Sequence, residues 1–250
     1  MPTRIDDLPL RSVAEQSDAE LGGPGSVLVR QRRDHEKLDR LVRRVEATTG
    51  DAQDEALEDL CRLVFPHAFA EEAVLWPAAR RALPDGEALT VEVEREHQEI
   101  NEIVAAVDRS RRGDAGREEL VRRAIALLRE DVRDEEDELF PRLQRALTPA
   151  ELRRLGRAWG LVRRIAPTHA HPVVARRPPG NVLSALPLSA LDRTRDVVDR
   201  GVRHSPAPVA AAGRRLSGAL AGLAGLVEQL PPMRRGEDPS TTSGRTELER

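Results

Sequence analysis

Apolar residues recur every three or four positions along four successive stretches of the chain, the spacing that one face of an α-helix requires. The first stretch runs from Ser26 to about Gly50, and the second closes near Gly86. The third ends near Gly113, and the fourth continues to Thr148. Four helices of ~20–30 residues joined by short turns predict an all-α fold, an antiparallel four-helix up-down bundle.

The sequence also predicts a further helix and two irregularities. The segment from Thr148 to Glu151 has the pattern of a capping box and predicts a short fifth helix to about Ile165. Pro66 and Pro77 lie inside the second helical stretch. Because proline removes a backbone donor, we expect a bend or a short break at each of them.

The sequence divides the chain into a bundle and two flanking parts. We assign the bundle to residues 26–166. Residues 1–25 are polar and end in GGPG, which predicts a flexible leader. Residues 167–250 begin with a Pro-rich stretch and hold weak amphipathic segments at 181–203 and 209–230. For this part we expect a linker, weak helices and a disordered tail.

An internal repeat supports two hairpins of the same design. HAFAEEAVLWPAARRAL (67–83) aligns without a gap with DVRDEEDELFPRLQRAL (131–147). The two copies share a Glu-Glu pair, an aromatic-Pro step and the ending RAL, and a histidine precedes each, His35 and His97. Two repeated helical hairpins packed together predict a pseudo-symmetric bundle.

The charge balance disfavours some classes of partner. The chain has 40 basic and 43 acidic residues, a net charge of −3, and both signs occur throughout, which gives no electrostatic reason to expect nucleic acid or an anionic membrane. The single cysteine, Cys61, cannot form an internal disulfide, which fits a reducing cytosol. The first residues lack the apolar core of a signal peptide, and no stretch reaches the ~18 apolar residues of a spanning helix. We therefore expect a cytoplasmic protein without stable membrane insertion.

Ionisable side chains interrupt the apolar stripes at one level of the predicted bundle. Each helix contributes a histidine or a pair of ionisable residues four positions apart, and such pairs are neighbours on one helix face. Burying so many ionisable groups is costly unless they pair or bind a cation. The inward-facing candidates are His35, His67, Glu71, His97, Asp131 and Glu135.

A metal site would resolve that cost. Imidazole and carboxylate together suit iron, manganese or zinc, and a carboxylate can bridge two ions. The cores of helix bundles commonly hold such dinuclear sites. We therefore predict that the six candidates bind two metal ions and leave open positions for water, dioxygen or peroxide.

Three further residues have open roles. Glu72 and Glu136 each follow a candidate ligand and point about 100° away around the helix. Each is therefore either exposed or ion-paired, or it contacts a ligand histidine without binding the metal itself. His171 lies in the Pro-rich PTHAHP stretch and is either exposed or folds back to complete the mouth of the site.

The ordered set of these motifs resembles the hemerythrin-like HHE cation-binding family. A histidine comes first, then HxxxEE from His67 with an aromatic-Pro step, then the EH pair containing His97, then a second EE and FP. The resemblance covers roughly residues 26–166 and extends to PTHAHP, which resembles the C-terminal end of many actinobacterial members. It implies a four-helix bundle with a non-haem, usually di-iron, centre that interacts with dioxygen, peroxide or nitric oxide, or senses iron.

Two positions depart from the pattern of that family. Asp131 stands where the family usually has a histidine, and an anionic ligand would lower the reduction potential of the site. Asp131 could instead pair with Arg122 or Arg133 at the surface, or mark a decayed site. Asn101 stands where oxygen-carrying hemerythrins have a second histidine, so the chain is less similar to the oxygen carriers.

We predict a hemerythrin-like iron protein, with two ions expected and manganese or zinc as alternatives, that handles or senses dioxygen, peroxide or nitric oxide. Whether it is an enzyme stays open. No separate acid, base or nucleophile constellation is visible, so peroxide disproportionation or NO reduction at the metal are the candidate reactions. Two alternatives are a non-catalytic iron- or redox-sensing module, in which residues 181–230 dock on a protein partner, and a degenerate metal-free bundle.

Overall fold

The chain is helical and contains no β-strand in the residues that the structure, a computed structural model, describes: 10–242 except 112, 115 and 204. The prediction of an all-α fold is confirmed. The main helices are α1 (Val27–Ala47), α2 (Asp51–Ala70, continued by Glu71–Leu75 and Trp76–Ala82), α3 (Gly86–Arg109), α4 (Arg117–Asp134, continued by Glu135–Leu139 and Phe140–Ala146), α5 (Pro149–Ile165), α6 (Gly180–Arg203) and α7 (Ala207–Glu228).

Helices α1 to α4 form the bundle as two hairpins, α1 with α2 and α3 with α4, and α5 packs across α1 and α2. Local sequence explains where two of these helices begin. The Ser26 hydroxyl accepts a hydrogen bond from the Leu28 N–H at the start of α1. At the start of α5, Thr148 and Glu151 satisfy each other's backbone N–H groups, so the predicted capping box is present.

A wide turn interrupts α2 where the sequence predicts an irregularity. Glu71–Leu75 is a π-helical turn, in which the N–H of Trp76 donates to the carbonyl of Glu71. The following residue, Pro77, has no N–H, and in a regular α-helix its ring would clash with the carbonyl four residues earlier. At Pro66, in contrast, the α-helix continues.

Helix α4 repeats this arrangement in the second copy of the internal repeat. Glu135–Leu139 is again a π-helical turn, closed by the N–H of Phe140 and followed by Pro141. Both helices also end alike, at Leu83 and Leu147, with extended backbone. The repeat therefore reproduces backbone geometry as well as residue types, as the predicted pair of like hairpins requires.

Two apolar clusters fill the core, one toward each end of the bundle. One contains the large aromatic side chains Trp76, Phe140 and Trp159, and the other consists of aliphatic side chains from α1 to α4. In α1 the first cluster includes Val29 and the second begins at Leu38. In each of the four helices one predicted ligand falls between the two clusters, namely His35, His67, His97 and Glu135, so apolar packing covers this level from both ends.

The prediction of a flexible leader does not hold for residues 10–25; residues 1–9 lie outside the described part of the chain. Val13 and Leu21 are fully buried in the aromatic cluster. At Gly156 of α5, an added Cβ would lie 2.2 Å from the carbonyl oxygen of Gly25, so α5 packs directly on this segment. A close contact between two backbone segments leaves no periodic pattern of apolar residues in the sequence. The sequence therefore did not predict it.

The predicted C-terminal linker is also folded onto the bundle. Helices α6 and α7 lie where weak amphipathic segments were predicted, and they pack together. Residues 166–179, called the strap below, connect them to α5. In the strap, Arg177 pairs with the buried Glu94 of α3 at 2.7 Å. Part of the predicted disordered tail, 243–250, lies outside the described residues. No helix of the described chain is long and apolar enough to cross a membrane.

Candidate metal centre

The structure brings all six predicted ligands together at the middle of the bundle. Two groups form, in which one donor atom from each residue lies within 4.8 Å of the others. Glu135 belongs to both groups, and every member is at most 7 % exposed. The first group is His35, His67, Glu71 and Glu135, and the second is His97, Asp131 and Glu135.

The spacing of the donor atoms suits metal coordination in the first group. His35 Nε2 lies 3.3 Å from His67 Nε2 and 3.3 Å from Glu135 Oε2, and His67 Nε2 lies 3.0 Å from Glu71 Oε1. Donor atoms about 2.1 Å from one ion are about 3.0–3.4 Å apart when they meet it at 90–109°. These three separations therefore suit donors that bind one ion.

The second group has fewer imidazoles and shares its carboxylates with the first. His97 Nε2 lies 3.4 Å from Asp131 Oδ1 and 3.8 Å from Glu71 Oε2. Glu71 thus reaches toward both groups, as Glu135 does. A carboxylate placed between two donor sets is the arrangement that bridges two ions in bundle proteins.

Each histidine is oriented by a carboxylate behind it. His35 Nδ1 lies 2.9 Å from Glu136 Oε1, and His97 Nδ1 lies 3.1 Å from Glu72 Oε1. These contacts leave Nε2 directed at the cluster, the usual arrangement of a metal-binding imidazole. Of the two open roles for Glu72 and Glu136, the structure places both against a ligand histidine and not in solvent.

The third imidazole has an equivalent support that the sequence did not suggest. His67 Nδ1 lies 3.2 Å from Asp34 Oδ2, and Asp34 pairs with Arg163 of α5 at 2.9 Å. Arg163 also lies over the Trp159 ring, whose plane is perpendicular to His67 with a centroid distance of 5.6 Å. Asp34 immediately precedes His35 in the sequence, and an acidic neighbour of a histidine is too common a pattern to indicate this role.

The cluster is strongly acidic, which changes the pKa of each histidine. Burial opposes protonation of His35, but the carboxylates of Glu135 and Glu136 outweigh it and raise its pKa to about 10. His67 behaves alike: burial is outweighed by Glu71 and Asp34, and its pKa rises to about 9. The pKa of His97 is raised well above its usual value, against burial, by Asp131 and Glu72.

The close packing of acidic groups also changes the pKa of a carboxylate. Burial, together with the charges of Glu71 and Asp131, raises the pKa of Glu135 to about 8. Five buried carboxylate oxygens, both of Glu71, both of Glu135 and Oδ1 of Asp131, receive no hydrogen bond of regular geometry from a described residue. Imidazole and carboxylate donors with unsatisfied oxygens fit a cation, which would replace the protons that otherwise balance this charge.

The two halves of the centre differ at the position of Asp131. His67 has the acidic Asp34 behind it, whereas Asp131, at the equivalent place, has Glu96 nearby. Burial and the charges of Asp131 and Asp134 raise the pKa of Glu96 to about 7. Asp131 is buried, so the proposed surface pairing is not seen, and Arg122 pairs with Glu119 instead.

His171 is buried but belongs to neither ligand group. Its N–H donates to Asn101 Oδ1 at 3.1 Å, and its ring lies 3.1 Å from Asp192 Oδ2 of α6. Asn101 in turn donates to the backbone carbonyl of the candidate ligand His97. His171 therefore folds back, as one alternative expected, but it contacts the centre through Asn101. The strap adds another contact that the sequence did not indicate, Arg176 with Glu72 at 3.6 Å.

An apolar cavity of about 210 Å³ adjoins the centre, between α2, α3 and α4. Val64, Phe65, Ile100 and Leu128 line both this cavity and the small gap beside the ligands. Polar residues also line it, among them Arg117 and Asp199. The cavity is thus a largely apolar space between the outer surface of the bundle and the candidate centre.

Comparison with protein families gives one result. Residues 27–143 match the model of the hemerythrin HHE cation binding domain. The matched range contains all six predicted ligands. Comparisons with curated proteins and with solved structures gave no match.

Proposed function

We propose, from the match of residues 27–143 to the model of the hemerythrin HHE cation binding domain, that the protein is a non-haem iron protein that binds two ions and handles or senses dioxygen, peroxide or nitric oxide. The observation that carries the proposal is the sharing of Glu135 between two buried donor groups. The proposed ligands are His35, His67, Glu71, His97, Asp131 and Glu135. Manganese and zinc suit the same donors and are outcomes of the metal analysis.

The residues around the centre support a small, uncharged ligand. Phe140 stacks on His35 at a centroid distance of 6.0 Å, and Trp76 lies 6.3 Å from His97, so both imidazoles are shielded from water. The adjoining cavity is lined mainly by aliphatic side chains. A neutral diatomic molecule can enter such a space without the desolvation cost that an ion would carry.

Iron bound here would supply ligand binding and electron transfer, and the protein would supply position and protons. Glu72 and Glu136 hold the Nδ1 protons of His97 and His35, which fixes the tautomer that presents Nε2 to an ion. Asp131 adds an anionic donor where a neutral imidazole is the family's usual residue. With iron bound, Asp131 would therefore stabilise the more highly charged, oxidised state of the ion.

Metal analysis of protein purified without oxygen tests the proposal. We expect close to two irons per chain and a new charge-transfer absorption after exposure to air. Glu135→Gln removes the shared donor and should lower the metal content of both groups. Glu138→Gln, on the exposed side of the same turn, is the matched control and should keep it. Absence of any transition metal, with unfolding unaffected by chelator, would reject the metal-binding proposal and leave a metal-free bundle.

A second candidate function, an iron- or redox-sensing module, is favoured by the outer face of α7. Most of its large apolar side chains are exposed by about half, and they recur along its whole length, which marks a surface that contacts another molecule. They are Val209, Leu216, Leu223 and Leu226, and Leu230 just after the helix is exposed as well. We propose a protein partner for residues 181–230 under this function.

Turnover separates the two functions. A catalyst should consume peroxide, or NO with a supplied reductant, for many cycles per metal-loaded chain. A sensor should react once per centre and should change amide hydrogen exchange in α6 and α7 when its metal changes. Steady turnover without any such change would reject the sensing function. The reducing cytoplasm is the proposed location, in keeping with the single cysteine.

A further inference from the structure

A groove of about 580 Å³ on the side of the molecule, distinct from the metal centre, is lined by arginines. α5 and α6 form its walls, with contributions from α1 and α2. Asp196 is the only carboxylate among its lining residues. The arginines are Arg30, Arg62, Arg163, Arg164, Arg193 and Arg200.

Most of these cations have no anionic partner. Arg62 pairs with Asp59 at 2.6 Å, and Arg163 pairs with Asp34. Among the described residues, no carboxylate pairs with the other four: Arg30, Arg164, Arg193 and Arg200. Asp196 does not neutralise them, because it accepts hydrogen bonds from Thr168 and His169. The groove therefore keeps an excess of positive charge.

The surrounding sequence has the same excess. Residues 148–235 contain fifteen arginines and five carboxylates, a formal net charge of +10, although the whole chain carries −3. The even balance of the full sequence, from which we expected neither nucleic acid nor an anionic membrane as a partner, conceals this segregation of charge. A field of this sign concentrates anions at the groove.

We propose that the groove binds a phosphate-bearing anion. The planar guanidinium fork matches phosphate oxygens in pairs, and several unpaired arginines around one space suit a multiply charged group better than a single carboxylate. The volume lies in the range of pockets that hold small molecules or headgroups. A soluble phosphate ester and the headgroup of an anionic lipid share this chemistry, and exposed Leu161, Ile165 and Val197 nearby are compatible with either.

The groove is connected to the metal centre by a short chain of contacts. Arg163 lines the groove and pairs with Asp34 at 2.9 Å, and Asp34 lies 3.2 Å from Nδ1 of His67. An anion that draws Arg163 toward the groove weakens its pairing with Asp34 and so alters the support of His67. This coupling, unlike the binding itself, rests on the proposed function of the centre.

Two experiments test the binding and identify the source of the phosphate group. Calorimetric titration with pyrophosphate tests for a soluble ligand. Sedimentation with phosphatidylcholine vesicles, with or without phosphatidylglycerol, tests for a lipid headgroup. Arg164→Gln/Arg200→Gln should weaken the binding about tenfold or more. The control Arg154→Gln/Arg157→Gln makes the same change of charge on the exposed face of α5, outside the groove, and should bind nearly as the wild type does.

Each outcome decides the proposal. Pyrophosphate binding that the groove variant loses supports a soluble ligand, and binding only to phosphatidylglycerol vesicles, lost in the same variant, supports a lipid headgroup. No binding to either probe, or equal loss in both double variants, overturns the site. Circular dichroism and thermal unfolding of the variants separate lost binding from lost folding.

Metal-loaded protein tests the coupling separately. Saturating pyrophosphate should shift its visible spectrum, and Arg163→Gln should abolish the shift. If pyrophosphate binds the groove of metal-free protein but leaves the visible spectrum of metal-loaded protein unchanged, the coupling is rejected. The proposed binding site in the groove then still stands. Failure to load metal at all would reject the proposed function while the binding data stand.

Discussion

The strap should lose its attachment to the bundle at alkaline pH because a buried histidine holds it. His171 is 7 % exposed, and its ring lies 3.1 Å from Asp192 Oδ2 and 3.7 Å from Glu228 Oε2. Asp192 also accepts the backbone N–H groups of Thr168 and His169. The imidazolium thus joins the strap to both α6 and α7.

The magnitude follows from the pKa of His171. Burial would lower this pKa, but hydrogen bonds to Asp192 and Glu228 outweigh burial and raise it from 6.5 to about 9. This difference corresponds to about 3 kcal/mol of stability from the protonated ring. Because the folded-state pKa is the higher one, the stabilisation is complete below pH 6.5 and is lost as the pH rises through 9.

Urea unfolding of wild type and His171→Gln from pH 6 to 10 measures this contribution. The difference in unfolding free energy should shrink by about 3 kcal/mol across that range, because titrations elsewhere cancel between the two proteins. Asp192→Asn should reduce the same pH dependence, whereas Arg157→Gln on exposed α5 should retain it. Hydrogen exchange should show α6 and α7 opening first. A difference that is independent of pH, or that grows with pH, would refute the reasoning.

Three other changes test packing and the centre. Gly156→Ala should destabilise the protein by about 1–3 kcal/mol in thermal unfolding, since the new Cβ meets backbone, whereas Gly160→Ala meets only the movable end of Arg30 and should be tolerated. Trp76→Ala should cost about 3–5 kcal/mol, because this side chain is fully buried, and a smaller loss in urea unfolding would contradict its place in the core. Asp131→Asn should reduce bound iron from about two ions per chain to about one by metal analysis, and unchanged content would exclude Asp131 as a ligand.

Periodicity predicted the bundle because each helix buries one continuous stripe. The same pattern indicated the centre, since His35 and His97 interrupt stripes that are otherwise apolar. The outer contacts of these histidines were harder to predict. Glu72 and Glu136 lie off the stripe on an ideal α-helix, and the π-helical turns that begin at the preceding glutamates change the local register.

The sequence did not predict the structure of segments that lack a periodic pattern of apolar residues, and the reason is physical. Residues 10–25 and the strap are held by isolated apolar side chains and by individual polar or backbone contacts, such as the close approach of Gly156 to Gly25 and the pair of Arg177 with Glu94. Polar and proline-rich sequence of this kind has the composition of a linker. Only the three-dimensional arrangement shows which of their polar groups contact the bundle, among them Asp18 with Arg32 and Arg177 with Glu94.

The repeat makes the two halves of the centre alike in backbone and different in chemistry. His67 and Asp131 occupy equivalent positions, so one half offers two imidazoles and the other a single imidazole with an added negative charge. Their outer connections differ too: His67 is connected through Asp34 to the arginine groove, and His97 through Asn101 to the strap. The groove and the strap therefore contact different histidines of the candidate centre. Under the proposed function, the asymmetry at Asp131 would place two bound ions in different charge environments.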